Sequence, residues 1–155
     1  IIHLISFPVL VQVAVRHYSL FTSCLTFSSS NYKANVDPVA EDYQYVMYVK
    51  MDLHDNPEEI AKVQKKFDTA FASSRLKVIK DTESLSDAQK ESLLGYEYQI
   101  DYNGTSTNVN FVLTDYNTGK IIASYVCHDF DNSDDSSYEK CIDWVCNSIK
   151  DSFTK

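Results

Sequence analysis

Only three glycines, Gly95, Gly104 and Gly119, occur in 155 residues, and no two are close together. A dinucleotide fingerprint or a phosphate loop needs clustered glycines so that backbone N–H groups can approach a phosphate. Their scarcity argues against both. Thr118-Gly119-Lys120 echoes the end of a phosphate loop. However, Thr114 stands where the first glycine belongs and Ile121 where the metal-binding hydroxyl belongs. A hairpin turn accounts for these residues better.

The four cysteines, Cys24, Cys127, Cys141 and Cys146, include no C-x-x-C pair. That spacing argues against a zinc ribbon or a dithiol redox motif. Acidic residues are absent from the first 36 positions, where Arg16 and Lys33 are the fixed charges. All 22 acidic side chains follow, and the formal net charge is -8. An acidic chain repels phosphate backbones, so no nucleic-acid partner is expected. Lys62, Lys65 and Lys66 form the densest basic group and read as the solvated face of a helix.

The charge boundary suggests three parts: residues 1–23 as an apolar export segment, 24–41 as a tether, and 42–155 as a single α/β domain. Residues 1–15 are strongly apolar and have the length of a signal-peptide core rather than of a membrane span. Small residues Thr22 and Ser23 precede Cys24, which makes Cys24 the candidate lipidation site. Phe21 replaces the leucine usual three residues before such a cysteine, and Arg16-His17 interrupts the approach. A polar Ser28-Ser29-Ser30-Asn31 run follows, as in a tether. The alternative for the start is a strand, since Val9, Val11, Val13 and Val15 alternate with other residues.

Residues 43–52 alternate like a strand. Asn56-Pro57-Glu58-Glu59 opens a helix, with Pro57 fitted to the first turn and acids at the positive dipole end. Ile60, Val63, Phe67, Ala70 and Phe71 form its apolar stripe. A short strand is expected over 75–80 and a short helix over 84–94, with Ser86 and Gln89 as a capping box and Gly95 as its stop. Three strands should meander through 96–128, turning at Asn103-Gly104 and at 117–119. Ser136 and Glu139 have capping-box spacing for a last helix. Its stripe runs through Tyr138, Cys141, Ile142, Val145, Cys146, Ile149 and Phe153. The fold class is α+β: a two-layer sandwich of a mixed, mostly antiparallel sheet of about five strands with two main helices on one face. Val46, Tyr48, Val112, Ile122 and Val126 fall on the opposite face. They make it too apolar for full solvation and mark it as a partner face, to be covered by the N-terminal segment, a second copy or another protein.

No catalytic residue is expected. Cys127 and His128 are adjacent on a strand and point to opposite faces, so they cannot act as a nucleophile and base. Cys141 and Cys146 share a helix face and do not bridge each other easily. A bridge from Cys127 to Cys141 or to Cys146 is geometrically open; the plainer reading is buried free thiols. Asp129, Asp131 and Asp134 resemble part of a calcium loop, but Asp134 takes the turn glycine's place and Lys140 the bidentate position. They are at most a weak divalent site. His54, beside Asp52 and Asp55, reads as a solvated histidine. Asn103-Gly104-Thr105 matches a glycosylation sequon but reads as a tight turn. No cofactor is expected.

The strand–helix–strand opening, Gly95-Tyr96-Glu97-Tyr98, and the hairpin from Leu113 through Asn117-Thr118-Gly119 to Ile122 together resemble small bacterial envelope lipoprotein modules. LptE, LpoB, CsgG and the amino-terminal domain of TolB are examples. The resemblance is one of element pattern and covers most of 43–155. It implies a helix-covered sheet on a lipidated cysteine, periplasmic or surface-exposed, that binds or assembles envelope proteins without catalysis. A soluble domain that dimerises through its sheet without an anchor is the alternative. A hydrolase using His128 and the acidic loop is the third.

Overall fold

The computed structural model describes residues 25–29, 31–51, 57–103, 106–131 and 135–155. The expected α+β two-layer arrangement is what it shows. Among the described residues there are seven strands: β1 (Leu25–Ser29), β2 (Tyr32–Val36), β3 (Tyr45–Met51), β4 (Lys77–Ile79), β5 (Leu93–Asn103), β6 (Ser106–Asp115) and β7 (Ile121–Asp131). They form one sheet in the order β1-β2-β7-β6-β5-β3-β4. Helices α1 (Pro57–Ala72) and α3 (Asp135–Ser152) pack on one face, and a single turn, α2 (Asp87–Lys90), lies elsewhere.

Among the described residues, β3 is the one strand flanked on both sides by parallel neighbours, β4 on one side and β5 on the other. Helix α1 provides the crossover that a parallel β3–β4 pair requires. All other pairings are antiparallel, as short turns permit. The side chains between the layers are largely aromatic. Phe67 and Phe71 of α1 meet Tyr96, Tyr98 and Phe111 of the sheet, with ring centroids 4.6–6.3 Å apart. Such offset and edge-on pairs add to the stabilisation from burial alone. The stripes read from α1 and α3 face inward: Val63, Phe67, Ala70 and Phe71 on one, Cys141, Ile142, Val145, Cys146 and Ile149 on the other are all buried. Arg75 ties the segment just before β3 to Phe153, which follows α3. Its guanidinium donates to the carbonyls of Ala40 and Tyr43, and stacks 5.3 Å from the Phe153 ring.

Four boundaries differ from expectation. The proposed tether, 24–41, contains the β1–β2 hairpin and a 3₁₀ turn, Pro38–Asp42, so the domain reaches back at least to Leu25. Tyr32, Ala34 and Val36 alternate with Lys33 and Asn35, which is a strand signal. Ala34 and Val36 are buried, and Tyr32 lies 5.0 Å from the Trp144 ring. Ser28 and Ser29 of the polar run that suggested a tether belong to β1, opposite Lys33 and Tyr32 of β2. The Ser86–Gln89 capping box is present, but α2 stops at Lys90, because Leu93 and Leu94 are recruited into β5. Gly95 is therefore a strand residue and not a helix stop. Helix α3 already includes Asp135, so Ser136 is not its cap.

Gly95 is required by a close approach. Strand β3 bulges at Val49, where its register with β5 slips. A Cβ on Gly95 would lie 2.6 Å from Val49 Cγ2. Gly95→Ala should therefore destabilise the protein by about 1–3 kcal/mol through overpacking. Val49→Ala should recover most of that loss in a double-mutant cycle by urea unfolding. Additive losses would show that the two positions do not compete for space.

Candidate functional site

Strand pairing sorts the sheet residues into two faces. Leu94, Tyr96, Tyr98, Val109, Phe111, Leu113, Ala123, Tyr125 and Cys127 belong to the large core beneath α1 and α3. Their chain neighbours point the other way. On that second face, Asn110 sits opposite Val126 and Gln99, while Val112 sits opposite Ser124 and Glu97. All six side chains are half-exposed. Asn35 Nδ2 donates to Ser124 Oγ at 3.5 Å, extending the row onto β2. Toward one end the face becomes apolar. Thr114 lies between Gly95 and Ile121 in register, and Val49 and Tyr116 close over Gly95. Val49, Tyr116 and Ile121 are 44%, 42% and 59% exposed.

The α2 turn covers only the adjoining corner of this face. Leu85 joins Tyr45 and Leu93 in a small separate cluster, flanked by Met47 and Ile79. Gln89 Nε2 donates to the Tyr45 hydroxyl at 2.8 Å.

The five partner-face candidates do not share a face. Val112 and Val126 lie on the open face as expected. Val46 is buried in the helix-side core with Leu94, and Tyr48 packs against that core. The reason is parallel pairing: β3 matches Val46 to Leu94 and Tyr48 to Tyr96, so these residues share the helix-covered face. Ile122 is buried by a different device. A bulge between Leu113 and Thr114 in the β6–β7 ladder puts Ile122 beside Ala123 in the core. The exposed group Val49, Tyr116 and Ile121 escaped the sequence reading because it depends on that bulge, the Val49 bulge and a turn.

Cys127 and Cys141 form a disulfide with Cα atoms 6.2 Å apart, joining β7 to α3. Among the described residues, the plainer reading as a free thiol holds only for Cys146. Burial pushes the Cys146 thiol up to about 11, which leaves it uncharged and a poor nucleophile near neutral pH. His128 is exposed on the open face, and its backbone N–H donates to Asn31 O at 2.8 Å. Its neighbour Cys127 is bridged on the other face, so the two form no catalytic pair. Asp129 and Asp131 belong to the end of β7. Cys24, His54 and Asp134 lie outside the described residues. Among the described residues, no group of three His, Cys, Asp or Glu side chains could hold a metal ion.

The turn between β6 and β7 is built on one carboxylate. Asp115 Oδ1 accepts from the N–H groups of Asn117 and Thr118 and from the Thr118 hydroxyl at 2.7–2.9 Å. Its Oδ2 accepts from the Tyr43 hydroxyl at 2.7 Å. Gly119 completes the turn at φ 70°, a conformation that favours glycine. Burial alone would raise the Asp115 pKa, but the Tyr43 hydroxyl and the turn donors outweigh it and hold the pKa below the usual aspartate value. Burial and Asp115 together push the Tyr43 hydroxyl well above the ordinary tyrosine range. A carboxylate with a depressed pKa stabilises the fold above its unfolded value, and that stabilisation disappears as pH falls through the folded value. Asp115→Asn should therefore lower stability at neutral pH and weaken its decline below about pH 4, near the unfolded aspartate value. Parallel urea-stability curves against pH for variant and wild type would contradict this role.

No protein-family model matches the chain, and no curated protein matches it. Two similar solved structures are PelC dodecamers from Paraburkholderia phytofirmans, one of them a single-residue variant. The variant is 12% identical, with a TM-score of 0.48, covering 81% of this chain and 98% of its own. The other is 12% identical, with a TM-score of 0.47, covering 79% and 96%. No helix among the described residues is long and apolar enough to cross a membrane.

Proposed function

We propose that this protein is a non-catalytic bacterial envelope lipoprotein, anchored at Cys24 and working as a protein-binding or assembly module. The observation that carries the reading is the sheet face that α1 and α3 leave open. Val112 and Val126 are half-exposed in its middle, and Val49, Tyr116 and Ile121 are exposed at one end. Polar residues surround these apolar groups, the composition expected of a binding face. The partner is another envelope protein or a second copy.

Two features support export. The apolar stretch before Thr22-Ser23-Cys24 fits a lipoprotein signal. The Cys127–Cys141 bridge suits an oxidising compartment such as the periplasm. Because β1 begins at Leu25, lipid on Cys24 would hold the sheet close to the bilayer rather than on a long leash. Several acyl chains provide firm attachment, since each buried CH₂ contributes about 0.8 kcal/mol.

A photoreactive residue placed at Val126 of the full-length protein, in its own cells, should give a discrete covalent adduct on irradiation. The same residue at exposed Lys155 should not. Equal labelling at both sites, or none at Val126, would count against the open face as the binding site. Wild type should enter the detergent phase on partitioning and Cys24→Ser the aqueous phase; identical partitioning would remove the anchor from the account.

A further inference from the structure

The chain is acidic overall, yet its helix layer carries a basic cleft. Lys62, Lys65 and Lys66 of α1 and Lys150 of α3 line a cleft of about 510 Å³ between the helices, with Asp143 and Cys146 among its other walls. Helical spacing places them together: 62, 66 and 69 rise along one side, and 143, 147 and 150 along the other. Lys66 pairs with Asp143 at 2.9 Å and Lys62 with Glu139 at 3.1 Å. Lys65 and Lys150 have no ion-pair partner among the described residues. The cleft therefore keeps a positive excess, and the rest of the molecule is more acidic than the total of -8 indicates.

The complementary surface is on the other side of the sheet. Asp81, Glu83, Asp87 and Glu91 are all exposed around α2. Asp87 is paired, with Lys90 at 3.5 Å. Helix α2 sits over Tyr45 and Leu93, which face away from α1 and α3. Basic cleft and acidic corner thus lie on opposite faces of one molecule.

We infer that the α1–α3 cleft receives the acidic α2 corner of a second copy, so that the helix layer of one molecule covers the open sheet face of the next. This deepens the proposed function and rests on its claim that the open face is a docking surface. The two contacting surfaces differ, so the association is head to tail. Exposed charges at such a contact govern encounter and partner choice, and salt screens them.

The full chain should self-associate in sedimentation velocity at low salt and dissociate as salt rises. Lys65→Glu/Lys150→Glu in the cleft should weaken self-association roughly tenfold or more, and so should Glu83→Lys/Glu91→Lys in the corner. An equimolar mixture of the two variants should associate again, because the reversed cleft matches the reversed corner. These positions are exposed or half-exposed, and unchanged urea midpoints would establish that the variants fold. A monomer at every salt concentration overturns the inference. So does unaltered association of the cleft variant, absence of rescue in the mixture, or a monomer whose cleft binds only an added oligoglutamate peptide. Val112→Glu/Val126→Glu separates the two levels. If it abolishes association while the charge reversals do not, the open face remains a docking surface and the cleft is not its partner. If the charge reversals alone act, the open-face reading fails.

Discussion

Phe67→Ala should destabilise the protein by about 3–5 kcal/mol. Phe67 is fully buried, and its ring centroid lies 4.6 Å from Phe111, 5.6 Å from Tyr98 and 6.2 Å from Tyr96. Truncation removes the buried ring and leaves a hole bounded by rings that are themselves packed against other rings. Tyr96 stacks on Phe111 at 5.6 Å, and Phe111 meets Tyr125 at 6.0 Å. Rigid neighbours collapse poorly into such a hole, which places the expected cost in the range for large aromatic truncations. Since small domains are stable by only about 5–15 kcal/mol, much of the folded population would be lost. Urea unfolding measures this directly. A loss below roughly 1 kcal/mol would mean that α1 does not pack through this face.

Removal of the disulfide, by reduction or by Cys127→Ala/Cys141→Ala, should cost about 3 kcal/mol. The bridged cysteines are 14 positions apart. In the chain-entropy account, closing a loop of about this length restricts the unfolded ensemble by that amount. The bridge also fastens the second half of β7 to the first half of α3. The alanine pair further removes two buried sulfurs, so its loss should be at least as large as that from reduction alone. Equal urea midpoints with and without reductant would show that the bridge contributes nothing to stability.

Local periodicity made much of the fold legible. Apolar residues at helical spacing marked the buried faces of α1 and α3, because both helices are amphipathic and rest on the sheet. Alternation located β5, β6 and β7 in the same way, and the Ser86–Gln89 box needed no tertiary information. What failed depended on pairing. Alternation says which residues of a strand share a side, but not which side meets the helices, so it misplaces Val46 and Tyr48. Parallel registration with Leu94 and Tyr96 settles that. At Ile122 a bulge breaks the period of two and turns the side chain into the core. The β2 pattern of Tyr32, Ala34 and Val36 was present, but a strand this short is stabilised by β7 and α3 rather than by its own composition. Gly95 looked like a helix stop because the structural need for glycine there comes from Val49, 46 positions earlier in the chain.

The candidate site was legible only in part. Val112 and Val126 could be read from β6 and β7, where the helix-side residues Val109, Phe111, Leu113, Ala123, Tyr125 and Cys127 alternate as a buried set. The exposed group at Val49, Tyr116 and Ile121 brings together two bulged ladders and a turn. The basic cleft needed the relative placement of α1 and α3; from α1 alone, Lys62, Lys65 and Lys66 form an ordinary solvated face.

The open sheet face as a partner surface is tested most directly by the mass of the protein's complex. The full-length protein would be extracted from its own cells in mild detergent, and its mass measured by light scattering after size exclusion. Wild type should elute in an assembly well above 17.7 kDa. Val112→Glu/Val126→Glu, with a urea midpoint like that of wild type, should elute alone. A wild-type protein that elutes alone, or a variant that remains in the same assembly, would contradict the account.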